Sequence, residues 1–277
     1  MINIATKQDL AKVKALGKDK AYLDNEGIVY YCLFEGEELK AYVASLPLTI
    51  KLGQHLLKSS DIIDIVDDGN SRDREELMRA VNDYREHTEL LSFSKLADYT
   101  LVELGYSNVY PKTSYTFDKY RFKYISTSEV RELSDESEAL NAYAKMVRNF
   151  DGYIFRDLSW FNTHGKNNGT LFRISKDAYF SLRVSGEEAY IDELVYSYLD
   201  EVDVAIAYAL NYAKRVIVTV SAYERLERYY DEVVAGPIFY TLGRINDLKR
   251  FNRLYEAKFS DIKKALAMSG RAIRLDD

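Results

Sequence analysis

Two adjacent carboxylates, Asp192 and Glu193, interrupt an apolar run in RVSGEEAYIDELVY (183–196). Ala189-Tyr190-Ile191 precede them and Leu194-Val195-Tyr196 follow. A carboxylate inside an otherwise apolar strand is the residue type a general base requires. It is also a residue type that burial penalises unless it finds a partner. Strand alternation places Glu193 with Ala189, Ile191 and Val195 on one face, and Asp192 with Tyr190, Leu194 and Tyr196 on the other. The two acids therefore cannot share one site without a bulge. At most one faces a substrate, and Glu193 is the stronger candidate; the other needs a basic or hydroxyl partner.

A second group lies in GYIFRDLSWFNTHGKNNG (152–169), with the single tryptophan, Trp160, beside Arg156 and His164. Arg156 and Trp160 suit an anionic or planar substrate. The same residues also fit a satellite core followed by a connecting loop. Nothing near His164 in sequence orients it as a base. In DIVDDGNSRDRE (64–75), Asp64, Asp68, Gly69 and Glu75 occupy calcium-loop positions, but Val66 and Arg72 stand where oxygen ligands belong. An acidic turn leading into a helix explains this stretch better. Three scattered histidines give no zinc signature, so no metal is expected. Cys32, the only cysteine, sits mid-strand as a structural thiol and excludes an intrachain disulfide. That usage fits a reducing, cytoplasmic setting. No basic segment followed by an apolar core opens the sequence, and no apolar run has the length of a membrane span.

The net charge of −6 conceals an asymmetry: residues 247–274 carry +5 and the rest −11. Phe251, Tyr255 and Phe259 interleave with these basic residues, a pattern that suits a nucleic-acid or protein partner. The solvated basic face of an amphipathic helix is the simpler explanation. Most of the 24 tyrosines belong on half-buried faces.

Periodicity and turn chemistry predict the elements that would position these groups. A short strand and a helix occupy 2–16, with Thr6 and Asp9 at the helix start. A hairpin follows at 27–46, then a strand at 60–68 and a helix at 71–87. Next come a short strand at 89–93, a helix at 94–104 and an extended segment at 106–117. The order then restarts: strand 120–126, helix 134–150, a meander at 170–175, 178–185 and 189–196, helix 200–215, strand 216–220 and helix 221–234. SFSKLADY (92–99) and SAYERLERY (221–229) match weakly, but the shared order points to an internal repeat. The boundary falls in KTSYTFDK (112–119), giving domains 1–115 and 116–277.

The stretch AYIDELVYSYLDEVDVAIAYALNYAKRVIVTVSAYERLERYYDEV, about a sixth of the chain, resembles the GNAT acetyltransferase superfamily. The resemblance implies an α/β fold of two GNAT-like halves, each a mostly antiparallel sheet flanked by helices. It implies N-acyl transfer from acetyl-CoA or another acyl-CoA to a small or macromolecular amine. Glu193 or Asp192 would be the general base, and Tyr230 would protonate the leaving thiolate. The backbone of Val195 and Tyr196 would hold the pantetheine arm, with Arg156 and Trp160 on the acceptor. The pyrophosphate would sit on the following loop and helix N-terminus. This sequence departs from the family there: YSYLDEVDVA (196–205) has no glycine and three acids, and acids repel phosphate. Val234 stands where the family has glycine after the tyrosine. In the first half, DDGNSRDREEL (67–77) has one glycine and two arginines, and Leu101 takes the tyrosine position. The alternative implied is a catalytically inactive GNAT-like protein that works by binding.

Overall fold

The computed structural model describes residues 2–6, 8–18, 20–118, 122–148, 150, 152–164, 169–230, 233–267 and 273–274. In chain order the elements begin with β1 (Ile2–Ile4), α1 (Leu10–Gly17), β2 (Val29–Glu35), β3 (Glu38–Leu52), β4 (His55–Asp67), α2 (Ser71–Thr88), β5 (Leu91–Ser94), α3 (Tyr99–Glu103) and β6 (Ser107–Asp118). They continue with β7 (Arg131–Glu132), α4 (Glu136–Val147), β8 (Gly152–Ile154), α5 (Leu158–His164), β9 (Thr170–Ser175), β10 (Ala178–Ser185), β11 (Glu188–Ile191), β12 (Leu194–Val195), α6 (Leu199–Ala209) and β13 (Arg215–Ser221). Last come β14 (Val234–Ala235), β15 (Phe239–Ile245), α7 (Leu248–Leu254), α8 (Ile262–Ala267) and β16 (Ile273–Arg274). The chain divides into two compact units, 1–109 with 241–270, and 110–240 with 271–277. The sequence-based boundary at 115/116 assigns 241–270 to the second half. The structure returns that segment to the first unit, because β15 pairs antiparallel with β5 from Leu242↔Ser94 to Ile245↔Leu91.

In the first unit the sheet runs β1-β2-β3-β4-β5-β15, antiparallel except for the β4–β5 pair. Alternation sends Tyr31, Leu33 and Val43 to one face, under Leu77, Met78 and Val81 of α2. Tyr30, Cys32 and Tyr42 go to the other, around Val13 of α1. Each fully buried aliphatic side chain of α2 contributes about 1.5–3 kcal/mol, which holds this 18-residue helix to the sheet.

In the second unit the order is β6-β13-β11-β10-β9-β7, antiparallel except for β11–β13. The buried stripe of α6, Val202, Ala205, Ile206 and Ala209, has helical spacing and closes one face of this sheet. Two expected elements do not form. Residues 122–126 make a turn instead of a strand, with the Ile125 N–H donating to the Phe122 carbonyl; Tyr120 and Arg121 lie outside the described residues. Of the expected helix 221–234 the described residues form a single 3₁₀ turn at Leu226–Arg228, entered through Arg225 at φ +50°; Asp231 and Glu232 lie outside the described residues. Among the described residues no helix is long and apolar enough to cross a membrane.

Candidate functional site

In each unit the parallel strand pair parts at a bulge. The β11–β13 ladder ends at Ile191↔Val218, although β13 continues to Ser221. Beyond it, β12 pairs only with β10. The register on β10 shifts by one residue between Val184↔Ala189 and Phe180↔Leu194, so Asp192 and Glu193 carry an extra residue. In the first unit the β4–β5 ladder ends at Ile62↔Ser94. There β4 bulges at Ile63, where the partners on β3 step from Ala44↔Asp64 to Ser45↔Ile62. A bulge re-aims the side chains beyond it. Ile191 and Leu194 thus both join the core beneath α6, while Glu193 leaves that face.

Glu193 is 3% exposed and ion-paired with Arg156, whose side chain is fully buried. The same Glu193 Oε1 accepts from the Tyr179 hydroxyl, and Arg156 Nη1 also donates to Tyr179 at 3.0 Å. The Arg156 guanidinium lies 4.0 Å from the ring centroids of both Tyr143 and Trp160. Burial opposes charge on Arg156, but the Glu193 carboxylate more than restores it, and its pKa rises above the usual arginine value. Burial, then the Glu193 charge, pushes the Tyr179 phenol well up. The expected base and both expected acceptor residues are therefore brought together, but as a closed, charge-balanced cluster packed on α4 and α5. Asp192 points elsewhere: its side chain is 39% exposed and meets Arg183 at 3.3 Å.

Tyr230 is 6% exposed and donates to Asp203 Oδ1 of α6 at 2.7 Å. Its ring packs edge-on against Phe117, centroids 5.2 Å apart. Two more phenols tie the same region down. Tyr196 donates to Glu224 Oε2, and Tyr115 donates to Glu227. The loop before α6 is filled by its own chain. Glu201 Oε2 accepts from the N–H groups of Ser197 at 2.7 Å and Tyr198 at 3.1 Å, and Glu201 Oε1 accepts from Ser175 Oγ at 2.6 Å. This is the loop to which the resemblance assigns the pyrophosphate, together with the N-terminus of α6. Val195 is buried in its β10 pairing, opposite Tyr179.

Sequence patterning missed the counterpart in the first unit. Asp64, one residue past the bulge, accepts from Lys20 and from Tyr22, whose hydroxyl also bonds that of Tyr42 at 2.8 Å. The signal available was a carboxylate in an apolar strand, the same signal that singled out Glu193. The loop after β4 is similarly occupied. Asp67 Oδ1 accepts the Gly69 N–H at 2.9 Å, and the Asn70 side chain accepts the Arg72 N–H at 3.2 Å. Arg74 pairs with Asp67 and Asp98, and Lys40 lies 3.3 Å from Asp68. Arg74 and Lys40 are thus paired with protein carboxylates, while Arg72, at the helix start, is exposed. In both loops part of the backbone N–H set is taken by side chains of the same chain. No cluster of three or more His, Cys, Asp or Glu among the described residues is placed to hold a metal. Cys32 is fully buried, and burial pushes its thiol up to about 12. His164 closes α5, and its side chain lies outside the described residues.

No family model matches the sequence, and no curated protein matches it. Solved structures do. A conserved protein of Enterococcus faecalis V583, described as a probable N-acyltransferase, superposes with a TM-score of 0.71 at 14% identity, over 91% of this chain and 73% of that one. A GCN5-related N-acetyltransferase from Kribbella flavida gives 0.69 at 14% identity, over 88% and 71%. Another from Anabaena variabilis ATCC 29413 gives 0.67 at 13% identity, over 89% and 73%. The chain has the fold of the GCN5-related N-acetyltransferases.

Proposed function

We propose that this chain uses the N-acetyltransferase fold for binding, and that its own side chains have replaced the acyl-coenzyme A donor. The single observation that carries this reading is Glu201. Its carboxylate sits on the N–H groups of Ser197 and Tyr198, in the loop to which the resemblance assigns the donor pyrophosphate. Two anions cannot share one set of donors. The Glu193–Arg156–Tyr179 and Tyr230–Asp203 contacts support it, because each expected catalytic group already has a partner.

Isothermal titration of the full chain with acetyl-coenzyme A at millimolar concentration tests the proposal. The expected result is no saturable heat. An assay for free thiol, with spermidine or a lysine peptide as acceptor, should give no release above the uncatalysed rate. Saturable binding together with thiol release would overturn the proposal. It would restore the acyl-transfer roles that the resemblance assigns to Glu193, Asp192 and Tyr230.

A further inference from the structure

A cleft of about 600 Å³ opens in the first unit between the start of β4, the end of α2 and helix α7. That volume lies within the roughly 300–1,000 Å³ typical of small-ligand sites. Leu56, 55% exposed, and Leu254, half-buried, give its apolar surface over the buried Leu57 and Leu90, and His55, Lys58, Arg250 and Arg253 line it with donors. No carboxylate lines it. Three acids close by in sequence are engaged elsewhere. Glu86 pairs with Arg244 at 2.8 Å, Glu89 accepts from Ser60 Oγ at 2.5 Å, and Asp247 Oδ1 caps α7 through the Arg250 N–H at 2.8 Å. Among the described residues no carboxylate lies within ion-pair distance of Lys58, Arg250 or Arg253.

The cationic side is built, not incidental. Arg250 and Arg253 are three residues apart and share a face of α7. The helix is anchored by Phe251, fully buried and 4.6 Å from the Tyr255 ring centroid. The Tyr255 hydroxyl in turn donates to the Leu52 carbonyl at 2.9 Å, at the end of β3. The helix therefore cannot turn its arginines away without giving up that core. Concentrated positive charge beside an apolar wall, with no internal anion, favours a ligand carrying both an anionic head and an apolar body.

We propose that this cleft binds a small amphipathic anion, with its phosphate or carboxylate head on Arg250, Arg253 and Lys58 and its apolar body against Leu56 and Leu254. The site lies at the opposite end of β4 from the bulge. Lys58 and Asp64 are separated by roughly 20 Å at the strand rise of about 3.3 Å per residue. The inference is therefore independent of whether the donor loops are closed.

The test uses the full chain and titrates octyl phosphate, octanoate, inorganic phosphate and octanol separately, all below micelle formation, by calorimetry. Octyl phosphate or octanoate should saturate one site at least about tenfold more tightly than inorganic phosphate, because six or seven buried methylenes contribute beyond the head group. Octanol should bind weakly. The double variant Arg250→Gln/Arg253→Gln should lose at least tenfold in affinity for the octyl anions, with an unchanged thermal midpoint showing that it remains folded. Equal affinity for inorganic and octyl phosphate would overturn the proposal, as would an unaffected double variant. So would binding confined to phosphatidylglycerol vesicles or to a single-stranded oligonucleotide, since either would make this an extended basic surface and not a cleft for a discrete ligand.

Discussion

Replacing Arg156 with methionine removes a guanidinium that is fully buried, while leaving Glu193, 3% exposed, without its cation. It also strips the Tyr179 hydroxyl of one contact and removes the charge held 4.0 Å from the Tyr143 and Trp160 rings. Breaking one side of a buried ion pair costs about 3–5 kcal/mol, most of it the penalty of an uncompensated charge. Taking roughly 4 kcal/mol and a urea slope of about 2.5 kcal/mol/M, the unfolding midpoint should fall by about 1.6 M. The assay is intrinsic fluorescence, since Trp160 is the only tryptophan and lies against the perturbed group. Glu193→Leu should cost a similar amount by orphaning Arg156. The double variant Arg156→Met/Glu193→Leu should recover at least half of the summed loss, because neither charge is then left buried. A loss below about 1 kcal/mol for Arg156→Met would refute the reasoning, as would strict additivity in the double variant. Either result would mean that the two charges are not energetically coupled as a buried pair.

Two further outcomes follow from other contacts. Burial first, and the Glu227 carboxylate second, push the Tyr115 phenol up to about 12, above its ordinary value of 10.0. A raised folded-state pKa gives stability that is complete below pH 10 and drains away as the pH climbs toward 12; a urea midpoint followed from pH 9 to 12 should fall, and Tyr115→Phe should flatten part of that fall. Gly169 has φ +96°, and a Cβ there would meet the Leu182 carbonyl oxygen at 2.6 Å. Gly169→Ala should therefore destabilise the second unit by at least about 1–2 kcal/mol, read by the same fluorescence unfolding, and a neutral result would contradict the observed backbone.

Much of the fold was legible where periodicity and burial agree. The helix expected at 71–87 is found at Ser71–Thr88, and the strands expected at 170–175 and 178–185 have those bounds. Long-range pairing was not legible. The β15–β5 ladder joins residues about 150 positions apart, and nothing local in Leu242–Ile245 names that partner. The helix expected at 221–234 fails because its polar side chains are claimed from outside: Glu224 by Tyr196, Glu227 by Tyr115, and Tyr230 by pairing with Asp203. Those contacts override the local helical preference. Sequence singled out Glu193, Arg156 and Trp160, which the structure brings together, but alternation put Glu193 on the Ile191 face, which it leaves. It could not supply the bulge, because a single extra residue leaves no mark in composition yet reverses which face receives Glu193. Whether an acid meets a substrate or an arginine depends on that one residue of register.

The return of β15 to the first unit has a consequence for the order in which the protein can be finished. Residues 1–109 leave the ribosome before 110–240, yet β5 gains its second neighbour only when Leu242–Ile245 have been made. At ordinary synthesis rates that wait is on the order of ten seconds. Throughout it, the four-residue edge of β5 lacks its β15 partner, a template for wrong pairing. A nonsense mutation anywhere between 110 and 240 would thus damage the half of the protein that had already been translated. Complementation by separately expressed halves should succeed only when residues 241–270 are supplied along with the first.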